Sequence, residues 1–310
     1  MTRRRAVTVI QRIMLQKRRI LLVLAFAAAV CAPLAAQTAR TATTAKNFLW
    51  KVESATGALY LAGSVHALSA DIYPLNPAFE RAFNASQTLV EEIDLGDLGQ
   101  LTSPLTILGK GMYQDGRTFD QAVSKETAAL VAERVKDMIP FEMLRPMKPW
   151  MVDLTVTAIE LQKEGLDANL GLDKHFFDEA KAAGKRVIGL ETAESQIDRL
   201  DQLPAAVQEQ MLRSSLEDLD AERKNLKSIV AAWRRGDSAA LQQLLLAGIA
   251  NYPAAYASLL VERNRNWMPQ LESCLAARNS CFVVVGAAHL VGPDGLLAML
   301  QKRGYRLTQQ

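Results

Sequence analysis

Histidine is nearly absent from this chain of 310 residues, which contains three. Cysteine is as rare, also three, and no two cysteines stand in a C-x-x-C frame, which disfavours a His/Cys metal site. No serine or cysteine lies in a nucleophile-elbow frame, so covalent serine or thiol hydrolysis is disfavoured too. Positive charge is scarce outside one segment. The formal net charge is +3, yet Arg3, Arg4, Arg5, Arg12, Lys17, Arg18 and Arg19 all precede or abut the apolar run from Ile20 to Ala36, with no acid among the first 36 residues. Setting those seven aside leaves 29 Lys and Arg against 33 Asp and Glu, a balance of about −4 that gives no sign of a nucleic-acid partner.

That segment has the form of a secretory signal peptide, with a basic start, a short apolar stretch and a small-residue end near Ala36. The apolar run falls short of the roughly 20 residues of a spanning helix and contains Pro33, so membrane contact is expected only through this leader. Cys31 follows Ala-Ala-Val, without the small residue expected before a lipidated cysteine. The organisation expected is a signal peptide over 1–36, a flexible Thr/Ala-rich linker over 37–46 and a single domain over 47–310, periplasmic or secreted. Roughly 270 residues are enough for a large buried core. Of the cysteines only Cys274 and Cys281 outlast cleavage. An oxidising compartment favours their pairing across a short loop, with two reduced thiols as the alternative.

What is present is a set of short β-like runs separated by helical text. FLWKVES and ALYLAGSVH read as a hairpin turning at Thr56-Gly57. Pro77 to Ser86 reads as a helix leading to the strand TLVEEIDL, an order that implies a parallel crossover. LDKHFFDEAKAAGK followed by KRVIGLET repeats it, and CFVVVGAAHL followed by PDGLLAMLQKRG and YRLTQ closes the chain. Long helical stretches lie between, at about 97–170 and 194–277, with breaks at Pro140, Pro146, Pro149, Gly236 and Pro253. The fold expected is α/β, a small mixed and largely parallel sheet with a large helical insertion.

Two of the three histidines share one frame, G-S-V-H ending at His66 and G-A-A-H ending at His289, each after an apolar run. Gly63 and Gly286 would let the backbone turn sharply or approach a ligand closely. Ligands of open α/β sheets collect at the carboxyl ends of parallel strands. Four runs deliver an imidazole or carboxylate there: His66, Glu91 or Glu92, Glu191 and His289. Strand neighbours face opposite ways, so Glu91 and Glu92 do not both enter one site readily. Two imidazoles with one or two carboxylates could hold Zn, Mn or Co and activate a water. The metal-free alternative uses a histidine as base and a glutamate to orient it, and two unrelated buried histidines is the bland one. His175 lies in an amphipathic helix and reads as half-buried or exposed; Asp173 reads as a charge near that helix start. Arg263 suits a carboxylate or an oxyanion, with Asn264 and Trp267 placed to order or cover it, although arginines in such charged helical text are mostly solvated.

FLWKVES, GSVHALSADIYPL, LVEEIDL, the KPW of Lys148 to Trp150, GLDKHFFDEAKAAGKRVIGLET, ERNRNW and VVVGAAHLVGPDGLL are ordered motifs spanning nearly all of the chain after the leader. In them the chain resembles the TraB/GumN family, related to the Tiki membrane-anchored proteins and more distantly to erythromycin esterase and the ChaN proteins. The resemblance implies an erythromycin esterase/ChaN-like fold and a catalytic set of His66, Glu92, Glu191, Arg263 and His289. It selects Glu92 over Glu91 and raises Arg263 to a site residue. His66, His289, Glu92 and Glu191 are the implied metal ligands. The activity it implies is a metal-dependent hydrolase using Mn, Co or Zn on a peptide or protein. A peptide-sequestering protein and a metal-free His/Glu esterase are the alternatives.

Overall fold

The structure, a computed structural model, describes residues 46–98, 102–217, 219–277 and 280–310. The leader, and the linker up to residue 45, lie outside the described residues. Six strands form one sheet: β1 (Leu49–Glu53), β2 (Ala58–Ser64), β3 (Thr88–Glu91), β4 (Arg186–Gly189), β5 (Cys281–Gly286) and β6 (Arg306–Gln309), in the order β4-β3-β5-β2-β1-β6. The hairpin forms as the Thr56-Gly57 turn predicts, with β1 antiparallel to β2. β4, β3, β5 and β2 are parallel neighbours, and β6 closes the far edge antiparallel to β1. The chain is thus mixed α/β with a mostly parallel sheet and many helices.

β5 lies between β2 and β3, and all six of its residues, CFVVVG, are buried. A continuous apolar run is what a parallel strand covered on both faces requires. The register sets Ser64 against Gly286, and Glu91 against both Val284 and Gly189. The carboxyl ends of β2, β3, β4 and β5 therefore finish along one edge, where crossovers in such sheets leave a crevice.

Two apolar cores form. The larger packs the sheet against Phe79, Phe83 and Phe176 from the helices Pro77–Asn84 and Leu172–Ala182, and against Trp233, Leu241 and Trp267 from helices of the second long stretch. The smaller joins Phe119, Val131, Val152 and Val156 to Leu212 and Leu216. Only the helix Ala205–Glu217 of that second stretch thus reaches the separate core, while Leu219–Arg234, Ser238–Ile249 and Glu262–Ala276 serve the sheet. Helical periodicity reveals an apolar face and leaves its partner open.

KPW ties the two parts together. Pro149 starts the helix Pro149–Lys163, and Lys148 Nζ (2.7 Å) and Trp150 Nε1 (2.8 Å) both donate to Asp201 Oδ1. Cys274 and Cys281 are disulfide-bonded, linking the end of Glu262–Ala276 to the start of β5 across a separation of 7 residues. Closing so short a loop is worth about 2–3 kcal/mol in the chain-entropy account. The Cys274→Ser/Cys281→Ser double variant is therefore expected to unfold at lower denaturant concentration by that amount, and an unchanged midpoint would contradict it.

Candidate functional site

The two glycines of the matching frames do different work. Neither has a positive φ. A Cβ on Gly63 would sit 2.2 Å from the Phe48 ring, so this glycine admits a core aromatic. A Cβ on Gly286 would sit 3.1 Å from both Glu92 Oε1 and His66 Nε2, so this one faces the site and leaves room between those atoms. β5 ends at Gly286 and the chain turns into the short helix Ala287–Leu290, which puts His289 on a helical turn and not on a strand end.

Arg263 stands at the centre. It is buried near the start of the helix Glu262–Ala276, directly after a π-helical turn over Ala257–Val261, a feature common at functional sites. Each guanidinium nitrogen has an acceptor. Nε donates to Glu191 Oε1 (2.8 Å), Nη2 to Glu92 Oε2 (2.5 Å), and Nη1 to His289 Nε2 (3.0 Å) and to the Leu259 carbonyl (3.1 Å). The Trp267 ring covers it, with its centroid 4.8 Å from Cζ and 4.4 Å from that of His289. Asn264 Oδ1 lies 2.7 Å from His289 Nδ1, while Asn264 Nδ2 donates to the carbonyls of His289 and Asp294. Asn264 and Trp267 are therefore buried parts of the site.

These contacts set the charge states. Burial pushes His289 down to about 3, with Arg263 and His66 adding to that against the opposing field of Glu92. It is neutral, and its tautomer follows, with Nδ1–H donating to Asn264 and Nε2 accepting from Arg263. Burial would raise Glu92, but the charge of His289 once acid protonates it, those of Arg263 and His66, and the Gly286 N–H, 2.7 Å from Oε1, outweigh it and hold the acid at about 2. Burial raises Glu191 against Arg263. Gln196, on the helix Ala193–Asp201, donates from Nε2 to Glu92 Oε2 (2.9 Å) and Glu191 Oε1 (3.3 Å), bracing both carboxylates.

His66 stands apart. Its side chain is 63% exposed, and Nδ1 lies 2.9 Å from Asp173 Oδ2. The Asp173 carboxylate raises it to about 9, against burial and the Arg263 charge and with help from Glu92. His66 is an imidazolium at neutral pH, with Nε2–H turned towards Gly286 and Glu92. No hydrogen bond or ring contact joins it to His289; Glu92 Oε1 lies 3.9 Å from His289 Nε2, and across Gly286 from His66.

Of the five residues put forward from the sequence, Glu92, Glu191, Arg263 and His289 are bonded into one network, and His66 shares the cavity walls with Glu92 without a hydrogen bond to any of the four. Among the described residues no group of three or more His, Cys, Asp or Glu side chains is arranged to hold a metal ion. The physical reason is Arg263: a permanent cation already takes Oε2 of Glu92, Oε1 of Glu191 and the lone pair of His289 Nε2, and its charge opposes a second cation beside it. His66, Glu92, Glu191 and His289 do not fit a divalent metal in this arrangement. Sequence reasoning missed Asp173, which it took for a helix-start charge, and Gln196, which carried no signal beyond lying one turn into the helix after Glu191. His175, half-buried against Tyr73 with ring centroids 5.0 Å apart, lines neither of the cavities at the site.

Those two cavities meet at a seam. One, about 460 Å³, has a largely apolar wall that includes Leu161, Leu166, Leu226, Ile229 and Leu245, together with Arg263 and His289. The other, about 350 Å³, is lined by Glu91, Asp173, Leu95 and Asn169 among others. His66, Glu92, Ala168 and Gln196 belong to both walls.

The model of the TraB/PrgY/gumN family matches residues 48–309. The chain is 26% identical over 243 residues to the uncharacterized protein YbaP of Escherichia coli strain K12, covering 78% of this chain and 87% of that protein. The same figures hold for YbaP of Shigella flexneri. No solved structure matches the chain.

Proposed function

The chain belongs to the TraB/PrgY/gumN family, and from that premise we propose that it is an exported hydrolase of peptide bonds that works through His66 and Glu92. The observation that carries this reading is the seam. A charged imidazole and an ionised carboxylate face the same gap over Gly286, at the junction of two cavities, with their charges held by Asp173 and Arg263. Titratable neighbours driven in opposite directions are the usual arrangement of an acid and a base. The leader and the Cys274–Cys281 disulfide support export, and the resemblance to Tiki proteins supports a peptide bond as the target.

A carbonyl in the seam would accept a hydrogen bond from His66 Nε2–H, while Glu92 orients a water. As the water adds to the carbonyl carbon, Glu92 takes its proton. His66 then protonates the departing amine, and the proton on Glu92 returns to His66 across Gly286. Glu92 is a weak base at rest, with the His66 charge among those holding it down, and the negative charge that develops on the carbonyl oxygen beside His66 offsets that charge as the water adds. Glu191, Gln196, Asn264 and Trp267 keep Arg263 and His289 in place. The metal-dependent form would require the guanidinium to leave its acceptors.

The test is a peptide library incubated with wild type and with His66→Ala, with and without a chelator. Cleavage that persists in chelator and is lost in the variant is the expected result. Chelator-sensitive cleavage would restore the metal reading. Peptides bound but recovered intact, equally by both proteins, would make this a sequestering protein.

The pH profile adds a second check. The raised pKa of His66 keeps the imidazolium present below about 9 and removes it as pH rises through that value. Activity should fall on the alkaline side near pH 9. Asp173→Asn should bring that fall down towards the ordinary histidine range, about 6.5. A profile unmoved by Asp173→Asn would contradict the assignment.

A further inference from the structure

Glu91 is left over from the machinery above, and its position is odd. It ends β3, is 2% exposed, and neither carboxyl oxygen has a hydrogen-bond partner among the described residues. Buried polar groups are nearly always bonded, and each exception asks for an explanation. Glu92 already lies past the strand end in a bend, whereas Glu91 ends β3, against which the helix Leu172–Ala182, carrying Asp173, packs. There it forms part of the wall of the smaller cavity, together with Asp173, His66 and Glu92. Both cations in that wall are engaged elsewhere, His66 by Asp173 at 2.9 Å and Lys174 by Asp178 at 2.7 Å on its own helix. Burial, then the fields of Asp173, Asp94 and Glu92, push the Glu91 carboxyl up to about 9, the state of an acid that lacks a counter-charge.

We propose that this cavity is a subsite for a primary ammonium group, held by Glu91 and Asp173. An ammonium carries a full positive charge and three donors on one small atom, which the unpartnered Glu91 carboxyl can engage while Asp173, already bonded to His66 through Oδ2, adds negative charge beside it. A guanidinium is planar and larger, and Arg263 already fills the neighbouring position suited to one. The proposal rests on the hydrolase reading in taking a peptide as the ligand. An α-amine anchored here, beside the seam, would present a bond close to the amino end of the peptide to His66 and Glu92, with an apolar side chain entering the larger cavity.

Three tetrapeptide-amide libraries test it: one without Lys or Arg and with a free α-amine, its N-acetylated twin, and an acetylated set containing Lys. Retention by the full protein in equilibrium dialysis and hydrolysis are both measured. The free-amine set should be retained at least ten-fold more strongly than its acetylated twin. Glu91→Gln should reduce that retention to the acetylated level. Retention of acetylated Lys peptides as strong as that of the free-amine set would support the subsite and name the ε-amine as its ligand. Discrimination without turnover would leave the subsite standing and remove the hydrolase reading. Turnover without discrimination would remove the subsite and leave the hydrolase. Retention of no library overturns the proposal. Should Glu91→Gln fail to fold, the wild-type comparison decides alone.

Discussion

Arg263→Ala is expected to lower stability by about 3–5 kcal/mol as well as abolish activity, because removing one partner of a buried ionic group strands the others. Glu92 and Glu191 would keep their burial and lose their cation, and His289 Nε2 would lose its donor. For a domain of this size that loss corresponds to a melting temperature lower by on the order of 10 °C. Arg263→Lys should recover only part, since one ammonium on a flexible stem cannot span acceptors on four residues. Adding Glu92→Gln to Arg263→Ala should restore some stability by removing one stranded charge. An Arg263→Ala protein that melts with the wild type would show that the guanidinium is not the centre of this network.

The two histidines, alike in sequence, should separate in their effects. His66→Ala removes a side chain that is 63% exposed and makes one side-chain bond, to Asp173. Its melting temperature should stay near wild type while hydrolysis falls by about 10²–10⁴, the usual contribution of a positioned acid–base group. His289→Ala removes a side chain 4% exposed that bonds Arg263 and Asn264 and packs on Trp267. It should lose activity and about 2–4 kcal/mol of stability together, in the range of other large buried truncations. Equal melting shifts for the two variants would contradict this division of labour.

Asp173 and Gln196 mark the boundary of what could be read from the chain. His66 and Asp173 are 107 positions apart, and Gln196 is 104 from Glu92. An aspartate in the first turn of an amphipathic helix has an ordinary reason to be there, so its second partner left no trace in local pattern. Gly63 and Gly286 mislead for a related reason. Identical spacing before a histidine does not reveal that one glycine faces Phe48 and the other the site.

The sequence by itself determined the local elements. Apolar runs, the Thr56-Gly57 turn and the helix starts led to the strands, the hairpin and the edge where polar residues gather, because those depend on neighbours a few positions apart. Its ordered motifs also named His66, Glu92, Glu191, Arg263 and His289. Only the tertiary structure decided how these five are placed and what each one meets. The helix Glu262–Ala276 inserts a guanidinium among the acceptors that would otherwise suit a metal, and at the end of β3 Glu92 meets that guanidinium while Glu91 lines a cavity without a hydrogen-bond partner. Alternation along a strand says that two neighbours face opposite ways. What each then meets depends on which helix packs over that face, and that is settled by long-range packing.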